Sequence, residues 1–491
     1  LKHGRFQKNI EQAPDWNLSR DRFWATAMPV WKGDKGTVKV IGSYDELFEL
    51  SGVRLEDYHR PWVDSIEFDI DGEHFTRVEK VLDCWFESGS MPFAQLHYPF
   101  ENQDKFAQNF PADYIIEGQD QTRGWFYSLM VMAVALFDKP AFKVVSANGM
   151  ALDEQKRKFA KSLHNYSDPS DVFEKYGADA IRLFIQGSNF MKAEPICMDK
   201  EGRVFNDAIK TILTPLWNAY HFFTLYANAG NITVEHEPDR ENLLDKYILS
   251  ELNELVKITT KSLNDYKPDI AVKEFVRFLD ILNNWYIRRN RDRFWDEDEG
   301  AFETLHYVLV NFCKILAPFA PFISEYIFKN LTGKESVHLE DWPNAKDTDI
   351  KILQDMRRVQ MIVSAGKQLR EQYKLRNRLP LSDVTIAGVN MEEYADIIRD
   401  ELNVKDVKFI DNIKSVADSF VYLITPKIGA RLGGTLKDII PAVKRGDYTI
   451  DGDKLIVGEY TLNADEFENK YTVLFNKLLP GPDPYKEYPD E

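Results

Sequence analysis

The sequence has few cysteines and lacks the common histidine metal motif. Its 491 residues contain three cysteines, Cys84, Cys197 and Cys313, which lie far apart and form no C-x-x-C pair. This excludes a disulfide framework and a cysteine-rich zinc site, and it favours a reducing compartment. The nine histidines form no H-E-x-x-H motif. We therefore expect no protein-bound metal.

Long hydrophobic runs are also missing. The most apolar stretch, residues 309–328, contains Lys314, Pro318, Pro321 and Glu325, which a membrane helix would not carry. The first residues show no signal-peptide pattern. With only 25 Gly and 22 Pro, and with 44% hydrophobic residues, the chain is not collagen-like or disordered. We expect a cytoplasmic globular protein with no membrane partner.

Basic residues are fewer than acidic residues over the whole chain. It carries 62 basic and 79 acidic residues, a net charge of −17. Such a chain can bind nucleic acid only through local basic patches. Its length suits two to four domains.

The most regular unit runs from Asp113 to Asn148. Residues 114–116 predict a short buried strand that Gly118 ends, and residues 142–147 predict the next strand. Between them, the sequence predicts a helix that opens at residues 120–122 and continues to Phe137. A strand–helix–strand unit of this size is typical of parallel sheets, which bind ligands at the carboxyl ends of their strands. Two loops, residues 117–121 and 148–165, should therefore face the same sheet edge.

The rest of the chain predicts a helical region followed by a mixed one. Residues 207–331 predict an all-α bundle of four to six helices. One apolar face repeats at three- and four-residue steps: Phe275, Phe278, Leu279, Leu282, Trp285 and Tyr286. Residues 350–372 predict one more helix, and short strands at 384–386, 407–410 and 422–424 predict a small α+β domain. The proline-rich residues 480–491 predict a poorly ordered tail or linker.

The loop at residues 117–121, here called the Glu117 loop, is the first candidate site. Gly118 would let backbone approach a ligand closely, and Glu117 and Asp120 could accept hydrogen bonds from ribose hydroxyls or an ammonium group. Amides that open the following helix would favour an anion. The alternative is a plain capped helix, with Asp120 as its N-cap and Trp125 in the core.

Residues 156–162, here called the lysine loop, are the second candidate. Lys158 and Lys161 could neutralise the charge that builds on a triphosphate during transfer. The alternative is a solvated surface loop. Its predicted position, on the same sheet edge as the Glu117 loop, favours the functional interpretation.

Two further segments are basic. Residues 285–295 carry four arginines among aromatic residues, a pattern suited to stacking on bases and contacting phosphates. The alternative is a helix face whose arginines pair with Asp292, Asp296 and Glu297. The second patch could equally be a solvated helix face, and it comprises Lys367, Arg370, Lys374, Arg376 and Arg378. No P-loop, G-x-S-x-G or kinase signature is present.

The order of motifs resembles the class I aminoacyl-tRNA synthetases of the isoleucyl type, nearly from end to end. The catalytic part has D-W-N-L-S-R-D-R-F-W at 15–24, D-C-W-F-E-S-G-S at 83–90, E-G-Q-D-Q-T-R-G-W-F at 117–126, K-F-A-K-S at 158–162 and Y-G-A-D-A-I-R at 176–182. The helical part has N-W-Y-I-R-R at 284–289, L-A-P-F-A-P-F at 316–322 and V-H-L-E-D-W-P at 337–343. The resemblance implies that residues 83–90 form a strand. Valyl specificity is the nearest alternative.

The resemblance implies a fold of three parts. Residues 1–200 would be the C-terminal part of a Rossmann-type α/β catalytic domain with a partial parallel sheet. Residues 201–345 would be an all-α anticodon-binding bundle, and residues 346–491 a small α+β domain. The substrates would be ATP with Mg²⁺, L-isoleucine and tRNA(Ile).

The resemblance also implies roles for single residues. Glu117 would bind the adenylate at its amino-acid end, and Gly118, Asp120 and Gln121 would hold the ribose and the ammonium region. Trp85 and Trp125 would wall the side-chain pocket. Lys158, Lys161 and Ser162 would act on the pyrophosphate leaving group. Contacts to tRNA would come from Arg288, Arg289, Arg291, Arg293, Lys367 and Arg370.

The chain departs from the family pattern at two points. Its lysine loop reads K-F-A-K-S, with Ala160 in place of a serine. The His-x-Gly-His motif and the body of the editing domain are absent from the sequence. We therefore expect the C-terminal half of a longer synthetase, monomeric and inactive without an N-terminal half. The competing hypothesis is a tRNA-binding paralogue or subunit without catalysis.

Overall fold

A computed structural model describes residues 3–234, 236–238, 241–411 and 417–473. The predicted tail at 480–491 lies outside this range. The chain divides into two compact units, one formed by residues 1–240 and 252–346 and the other by 241–251 and 347–491. Among the described residues, no helix is both long and apolar enough to cross a bilayer. The predicted division into three domains stays a prediction.

The first part of the chain contains a small antiparallel sheet, whose strands lie in the order β3 (Val38–Val40), β2 (Val30–Gly33), β5 (Glu73–Arg77) and β4 (Glu67–Ile70). Its core is formed by Trp31, Ile66, Phe68 and Phe75, each 5% exposed or less. The elements are α1 (Arg5–Glu11), β1 (Ser19–Arg20), β2 (Val30–Gly33), β3 (Val38–Val40), α2 (Tyr44–Ser51), β4 (Glu67–Ile70), β5 (Glu73–Arg77), β6 (Val81–Leu82), α3 (Cys84–Ala94) and α4 (Gln103–Asn109).

The segment at 83–90 is the first correction, because it forms helix α3 and not the expected strand. Asp83 caps the helix, since its carboxylate accepts a hydrogen bond from the Trp85 amide at 3.4 Å. Small residues let α3 approach α5 (Trp125–Phe137) closely: a Cβ at Gly89 would lie 3.0 Å from the Ser128 backbone. The helix cap and the close packing of α3 on α5 favour a helix over the expected strand at residues 83–90.

The strand–helix–strand prediction is confirmed, but the first strand is not buried as expected. Tyr114 is 36% exposed and Ile116 39% exposed, because this strand pairs only with the one that follows the helix in the described residues. Strands β7 (Ala112–Gly118) and β8 (Phe142–Asn148) pair in parallel, with helix α5 between them in sequence. The predicted helix start needs correction. Residues Gln119–Arg123 form a 3₁₀ turn, and α5 begins only at Trp125, because Gly124 has a non-helical backbone (φ −125°, ψ −112°). Gln121, and not Asp120, accepts from the Trp125 amide, at 2.8 Å.

The next elements lead into the helical region. They are β9 (Ala151–Leu152), α6 (Pro169–Tyr176), α7 (Ala178–Gly187), β10 (Ile196–Cys197), α8 (Asn206–Ala208), α9 (Thr214–Ala229), α10 (Leu243–Asn264), α11 (Pro268–Asp280), α12 (Arg291–Trp295), α13 (Glu299–Leu316) and α14 (Pro321–Thr332). The predicted apolar face from Phe275 to Tyr286 is confirmed, since all six of its residues are buried. Its second half, Ile281–Ile287, is a π-helical stretch.

The second unit contains the long helix α15 (Ile350–Gln372), which has the predicted bounds. Two parallel strands, β11 (Leu381–Ala387) and β12 (Val404–Ile410), follow it, with α16 (Ala395–Leu402) between them in sequence. The remaining elements are β13 (Ala417–Leu423), α17 (Thr425–Leu432), α18 (Leu436–Arg445), β14 (Thr449–Asp451), β15 (Lys454–Val457), β16 (Tyr460–Leu462) and β17 (Phe467–Val473). Strands cover the predicted positions 384–386 and 407–410, and β13 covers the predicted 422–424 except for Ile424, so the mixed character is confirmed.

Candidate active site

Strands β7 and β8 end side by side. Their parallel register pairs Glu117 with Ala147 and Gly118 with Asn148. The Glu117 loop and the segment that leads to the lysine loop therefore leave the sheet from the same edge, as the sequence predicts. Carboxyl ends of parallel strands are where such folds bind ligands.

The Glu117 loop is tightly packed at its glycine. A Cβ at Gly118 would lie 2.5 Å from Oδ1 of Asp120, so a larger residue would displace that carboxylate. The side chains of Glu117 and Asp120 are both exposed. The loop thus presents two carboxylates to solvent at the ligand edge.

The two predicted pocket tryptophans both lie near the start of α5. A Cβ at Gly124 would lie 2.9 Å from Cη2 of Trp85, so the glycine makes room for that ring. The indole Nε1 of Trp125 donates to the Ser88 carbonyl at 3.1 Å. Trp85 remains 40% exposed. The structure therefore brings Trp85 and Trp125 close to Gln121, at the end of the Glu117 loop.

The start of α3 is fixed by the segment at 15–24. The buried carboxylate of Asp83 accepts hydrogen bonds from Trp16 Nε1 at 2.8 Å and from Arg20 Nη2 at 2.7 Å. Burial raises the pKa of Asp83, but the Trp16 and Trp85 hydrogen bonds and the Arg20 charge lower it more, so its pKa lies below the ordinary value. An ionised Asp83 thereby links two sequence motifs and positions Trp85.

The lysine loop presents its cations to solvent. Lys158, Lys161 and Ser162 are all exposed, and Ser162 lies in a 3₁₀ turn at Lys161–Leu163. Within the described ranges, neither lysine has a carboxylate within 4 Å. Both are therefore available to an anion from outside the protein chain.

A buried polar pair holds the lysine loop. Asp153, 4% exposed, accepts from the Arg157 amide, from Arg157 Nε and from Asn165 Nδ2, each at 2.8 Å. Asn165 also bonds both arms of the loop, donating to the Lys158 carbonyl at 3.1 Å and accepting from the Ala160 amide at 3.0 Å. Burial raises the pKa of Asp153, but the hydrogen bonds from Asn165 and Arg157 outweigh it and lower the pKa to about 2.

Sequence reasoning missed this pair, and it also missed the role of α1. Asp153 begins a D-E-Q stretch that is typical of turns, in which an Asp side chain often hydrogen-bonds the backbone nearby. This pattern is only a weak signal for the pair. Arg5 Nη1 donates to Gln119 Oε1 at 2.7 Å, and Asn9 Nδ2 donates to Thr122 Oγ1 at 3.0 Å. Helix α1 therefore holds the 3₁₀ turn at Gln119–Arg123, which overlaps the end of the Glu117 loop. No local sequence pattern indicated these contacts.

The four arginines of the bundle have different surroundings. Arg288 and Arg291 are exposed, whereas Arg289 lies against the Trp285 ring, 5.8 Å from its centroid. Arg293 pairs with Asp298 at 3.0 Å, and Asp298 caps α13. The Arg293 hydrogen bond is the main cause that lowers the pKa of Asp298. Arg293 therefore stabilises a helix start, while Arg288 and Arg291 are presented outward.

The second basic patch is also divided. Lys367 Nζ bonds Glu401 Oε2 at 2.8 Å, and Lys367 is still 39% exposed. Arg370 is only 4% exposed, and its guanidinium donates to four backbone carbonyls. Its charge faces the protein interior, so Arg370 is left out of the tRNA surface proposed below.

Acidic, histidine and cysteine side chains do not converge on a metal position anywhere in the described parts of the chain.

Two family models match the chain. Residues 1–196 match the model "tRNA synthetases class I (I, L, M and V)", and residues 245–386 match "Anticodon-binding domain of tRNA ligase". The chain is 46% identical to an isoleucine–tRNA ligase of Protochlamydia amoebophila over 84% of this chain and 41% of that protein. It belongs to the class I aminoacyl-tRNA synthetases.

Other isoleucine–tRNA ligases are similar to the chain over most of its length. An isoleucine–tRNA ligase of Nocardia farcinica is 42% identical over 96% of this chain and 46% of its own length. The chain spans about half the length of the curated relatives it matches: 41% of the Protochlamydia amoebophila protein and 46% of the Nocardia farcinica protein. A LeuRS–tRNA–LeuAMS ternary complex from Agrobacterium radiobacter K84 shares the fold, with a TM-score of 0.54 and 20% identity over 71% of this chain and 45% of that chain.

Proposed function

We propose that the chain is the C-terminal part of an isoleucine–tRNA ligase, which activates L-isoleucine with ATP and transfers it to tRNA(Ile). The observation that supports this most is the shared edge of β7 and β8, where the Glu117 loop and the route to the lysine loop emerge together. The isoleucine–tRNA ligases found at 39% to 46% identity support the choice of amino acid.

The proposed chemistry begins with adenylate formation. A carboxylate oxygen of isoleucine attacks the α-phosphorus of ATP, the bond to the bridging oxygen breaks, and pyrophosphate leaves with its Mg²⁺. Lys158 and Lys161, which have no acidic partner in the described residues, would stabilise the charge that builds on that leaving group. Ser162 would add a hydroxyl donor beside Lys161. The 2′- or 3′-hydroxyl of tRNA then attacks the adenylate carbonyl, and AMP leaves.

The Glu117 loop would hold the other end of the adenylate. Glu117 would attract the ammonium group, while Gly118, Asp120 and Gln121 would contact the ribose and the ammonium region. Support comes from the close approach at Gly118 and the two exposed carboxylates. In this proposal β7 and β8 belong to a Rossmann-type sheet of the catalytic domain.

The side-chain pocket would lie between Trp85 and Trp125. Their proximity at Gly124 supports this. Such a pocket separates isoleucine from valine by one methylene, which is worth only about 1–3 kcal/mol. We therefore propose that selectivity at this pocket is modest and that isoleucine and valine differ by about 10- to 200-fold in kcat/KM.

The tRNA would contact the helical region and the following unit. Arg288 and Arg291, the two outward-facing arginines, are the proposed phosphate contacts, with Arg289 held against Trp285 between them. Lys367 is proposed as a weaker contact, because part of its charge is satisfied by Glu401. The match of residues 245–386 to an anticodon-binding domain supports this assignment.

Amino-acid-dependent ATP–pyrophosphate exchange tests the proposal. The chain would be assayed alone and together with the preceding part of the Protochlamydia amoebophila relative, which we expect to supply the His-x-Gly-His motif. Isoleucine should stimulate exchange in the combined sample more than valine does. If neither amino acid stimulates exchange while tRNA(Ile) still binds, the chain is a tRNA-binding protein without catalysis.

A further inference from the structure

Helix α7 lies against the turn that joins α13 to α14. The chain runs from the lysine loop through α6 into α7, and all of these elements belong to the first compact unit. The turn, residues 317–320, is part of the L-A-P-F-A-P-F motif of the bundle. Ala317, Phe319 and Ala320 are at most 6% exposed, so the backbone groups at this turn need partners inside the protein. Helix α7 supplies them from two side chains.

The start of α14 has its capping residue on α7. Ala320 occupies the N-cap position and has no side chain that could accept a hydrogen bond. Asp179 takes over this task from a distant part of the sequence. Its Oδ2 accepts from the Ile323 amide at 2.8 Å, and its Oδ1 accepts from the Phe322 amide at 3.3 Å. Asp179 is only 7% exposed, so its carboxylate is enclosed at the start of α14.

Arg182 acts at the end of α13. It lies one turn along α7 from Asp179, and its Nε donates to the Phe319 carbonyl at 3.1 Å and its Nη2 to the Pro318 carbonyl at 2.8 Å. Both carbonyls come just after Leu316, the last residue of α13. A cation at a helix end is the favourable counterpart of a carboxylate at a helix start. Two side chains three residues apart on α7 therefore hold both helices at this turn.

The residues after α7 join the bundle to the ligand edge. Lys192 Nζ pairs with Asp269 Oδ2 at 2.6 Å, and the Asp269 side chain, in the first turn of α11, is only 4% exposed. Close to Lys192 in sequence, the Phe190 carbonyl accepts from the Gly149 amide at 2.8 Å. Gly149 directly follows β8 at the ligand edge. The bundle and the ligand edge are therefore connected through α7 and the turn that follows it.

We propose that Asp179 and Arg182 are positioning residues, which fix the bundle relative to the ligand edge so that a tRNA held by the bundle reaches the adenylate in reactive geometry. This inference rests on the proposed function, in which the tRNA contacts and the adenylate site lie on different parts of the chain. Neither residue touches a substrate. A misplacement of about 1 Å can cost about 10²-fold in rate, so a small shift at the α7 contact is sufficient to slow the reaction.

The two chemical steps should respond differently to loss of this contact. Adenylate formation uses groups at the ligand edge, in the Glu117 loop and the lysine loop. Transfer also needs the tRNA that the bundle holds. Loss of the α7 contact should therefore slow transfer and leave adenylate formation nearly unchanged. A residue that only stabilised the fold would affect both steps alike.

Kinetics of the chain combined with the preceding part of the Protochlamydia amoebophila relative test this split. The double variant Asp179→Asn, Arg182→Ala should lower kcat for aminoacylation of tRNA(Ile) about tenfold or more, while KM for tRNA and the rate of isoleucine-dependent pyrophosphate exchange stay within about twofold of wild type. Arg182→Lys, which can still donate to one carbonyl, should lose less than Arg182→Ala. Arg203→Ala is the matched control, because Arg203 is exposed and pairs with its sequence neighbours Asp199 and Glu201. Equal losses in both steps, or unchanged transfer, would overturn the proposal.

A distance measurement tests the positioning directly and needs no activity. Spin labels on Glu154→Cys, beside the lysine loop, and on Lys329→Cys, on α14, report the separation in the full 491-residue chain. The exposed Cys84 and Cys197 are replaced by serine, and the buried Cys313 is kept. Pulsed electron resonance should give one narrow distance distribution for this labelled chain and a broader or shifted one once the double variant is added. Identical distributions would show that the two side chains do not hold the bundle in place.

The two experiments separate failure of this inference from failure of the proposed function. If the wild-type combined sample forms no adenylate from either isoleucine or valine, the proposed function is wrong and the transfer role fails with it, while the distance distributions still decide whether Asp179 and Arg182 position the bundle. If the wild-type sample aminoacylates tRNA(Ile) and the double variant does so equally fast, only the positioning inference is wrong.

Discussion

The ligand edge and the helical bundle are stabilised by different means. In the bundle, Phe275, Phe278, Phe312 and Phe319 are all completely buried, and aromatic rings pack on one another. At the ligand edge the lysine loop is held by hydrogen bonds to buried Asp153 and Asn165. In the proposed function this loop presents cations to a substrate, and because its side chains are exposed, hydrogen bonds to buried polar groups hold it in place of apolar packing.

A core substitution in the bundle should have the largest effect on stability. Phe312→Ala removes a fully buried ring that stacks on Phe278 at 5.4 Å, and it should lower the free energy of unfolding by about 3–5 kcal/mol. The matched control is Phe322→Ala, because Phe322 is 68% exposed and its removal should change stability by less than about 0.5 kcal/mol. Denaturant unfolding measures both. Similar values for the two variants would contradict the comparison.

At the ligand edge, Lys161→Ala should act on the reaction rate and leave stability nearly unchanged. We expect adenylate formation in the complete synthetase to slow by about 10²-fold or more, with isoleucine affinity little changed, because the cation acts where charge develops. Pre-steady-state pyrophosphate exchange measures this. Lys143→Ala is the control, since Lys143 is also exposed but pairs with Asp113 at the far end of the strands. A near wild-type rate for Lys161→Ala would end its proposed role.

The polar anchor should be sensitive to charge and to pH. Asp153→Asn should raise tryptic cleavage within residues 156–161 about tenfold, because the charged hydrogen bonds from Arg157 are removed. Glu154→Gln, an exposed neighbour, is the control and should have no effect. Mass spectrometry of the cut sites gives the comparison.

The pH dependence follows from the lowered pKa of Asp153. Its folded pKa of about 2 lies below the unfolded value of 3.8, so the ionised form stabilises the folded loop. This contribution is complete above about pH 4 and is lost as the pH falls towards 2. The protection of the Arg157 amide, the ratio of its intrinsic to its measured exchange rate at each pH, should therefore fall in that window. A flat profile between pH 4 and 2 would show that the anchor does not depend on ionisation.

The smallest effect is expected on the outer surface of the bundle. Arg288→Ala with Arg291→Ala should weaken tRNA(Ile) binding and reduce the salt slope by about one for each phosphate that is no longer neutralised. The titration also includes Arg293→Ala, which should lower stability through Asp298 and leave the slope unchanged. If Arg288→Ala with Arg291→Ala keeps the wild-type slope, these two arginines have a structural role.

Much of the fold could be predicted because its signals are local. Helix α15 has the predicted bounds at Ile350 and Gln372, and the apolar face from Phe275 to Tyr286 is buried as its spacing indicates. The strand pair β7 and β8 also follows from short apolar runs on either side of a helix. The Glu117 and lysine loops were indicated by their residue types and by their expected position on one sheet edge, whereas the roles of single residues came from motif resemblance and stay predictions.

The sequence by itself determined the membership in the synthetase family and the local elements with strong patterns, such as α15 and the β7–α5–β8 unit, since periodicity and motif order are properties of neighbouring residues. Tertiary structure decided which charges are available. It turned Arg370 inward onto four carbonyls, paired Arg293 with Asp298, and left Lys374, Arg376 and Arg378 exposed. It also made residues 84–94 a helix, through a cap and a close contact with α5. The physical reason is that burial and hydrogen-bond partners depend on residues distant in sequence, which no local pattern contains.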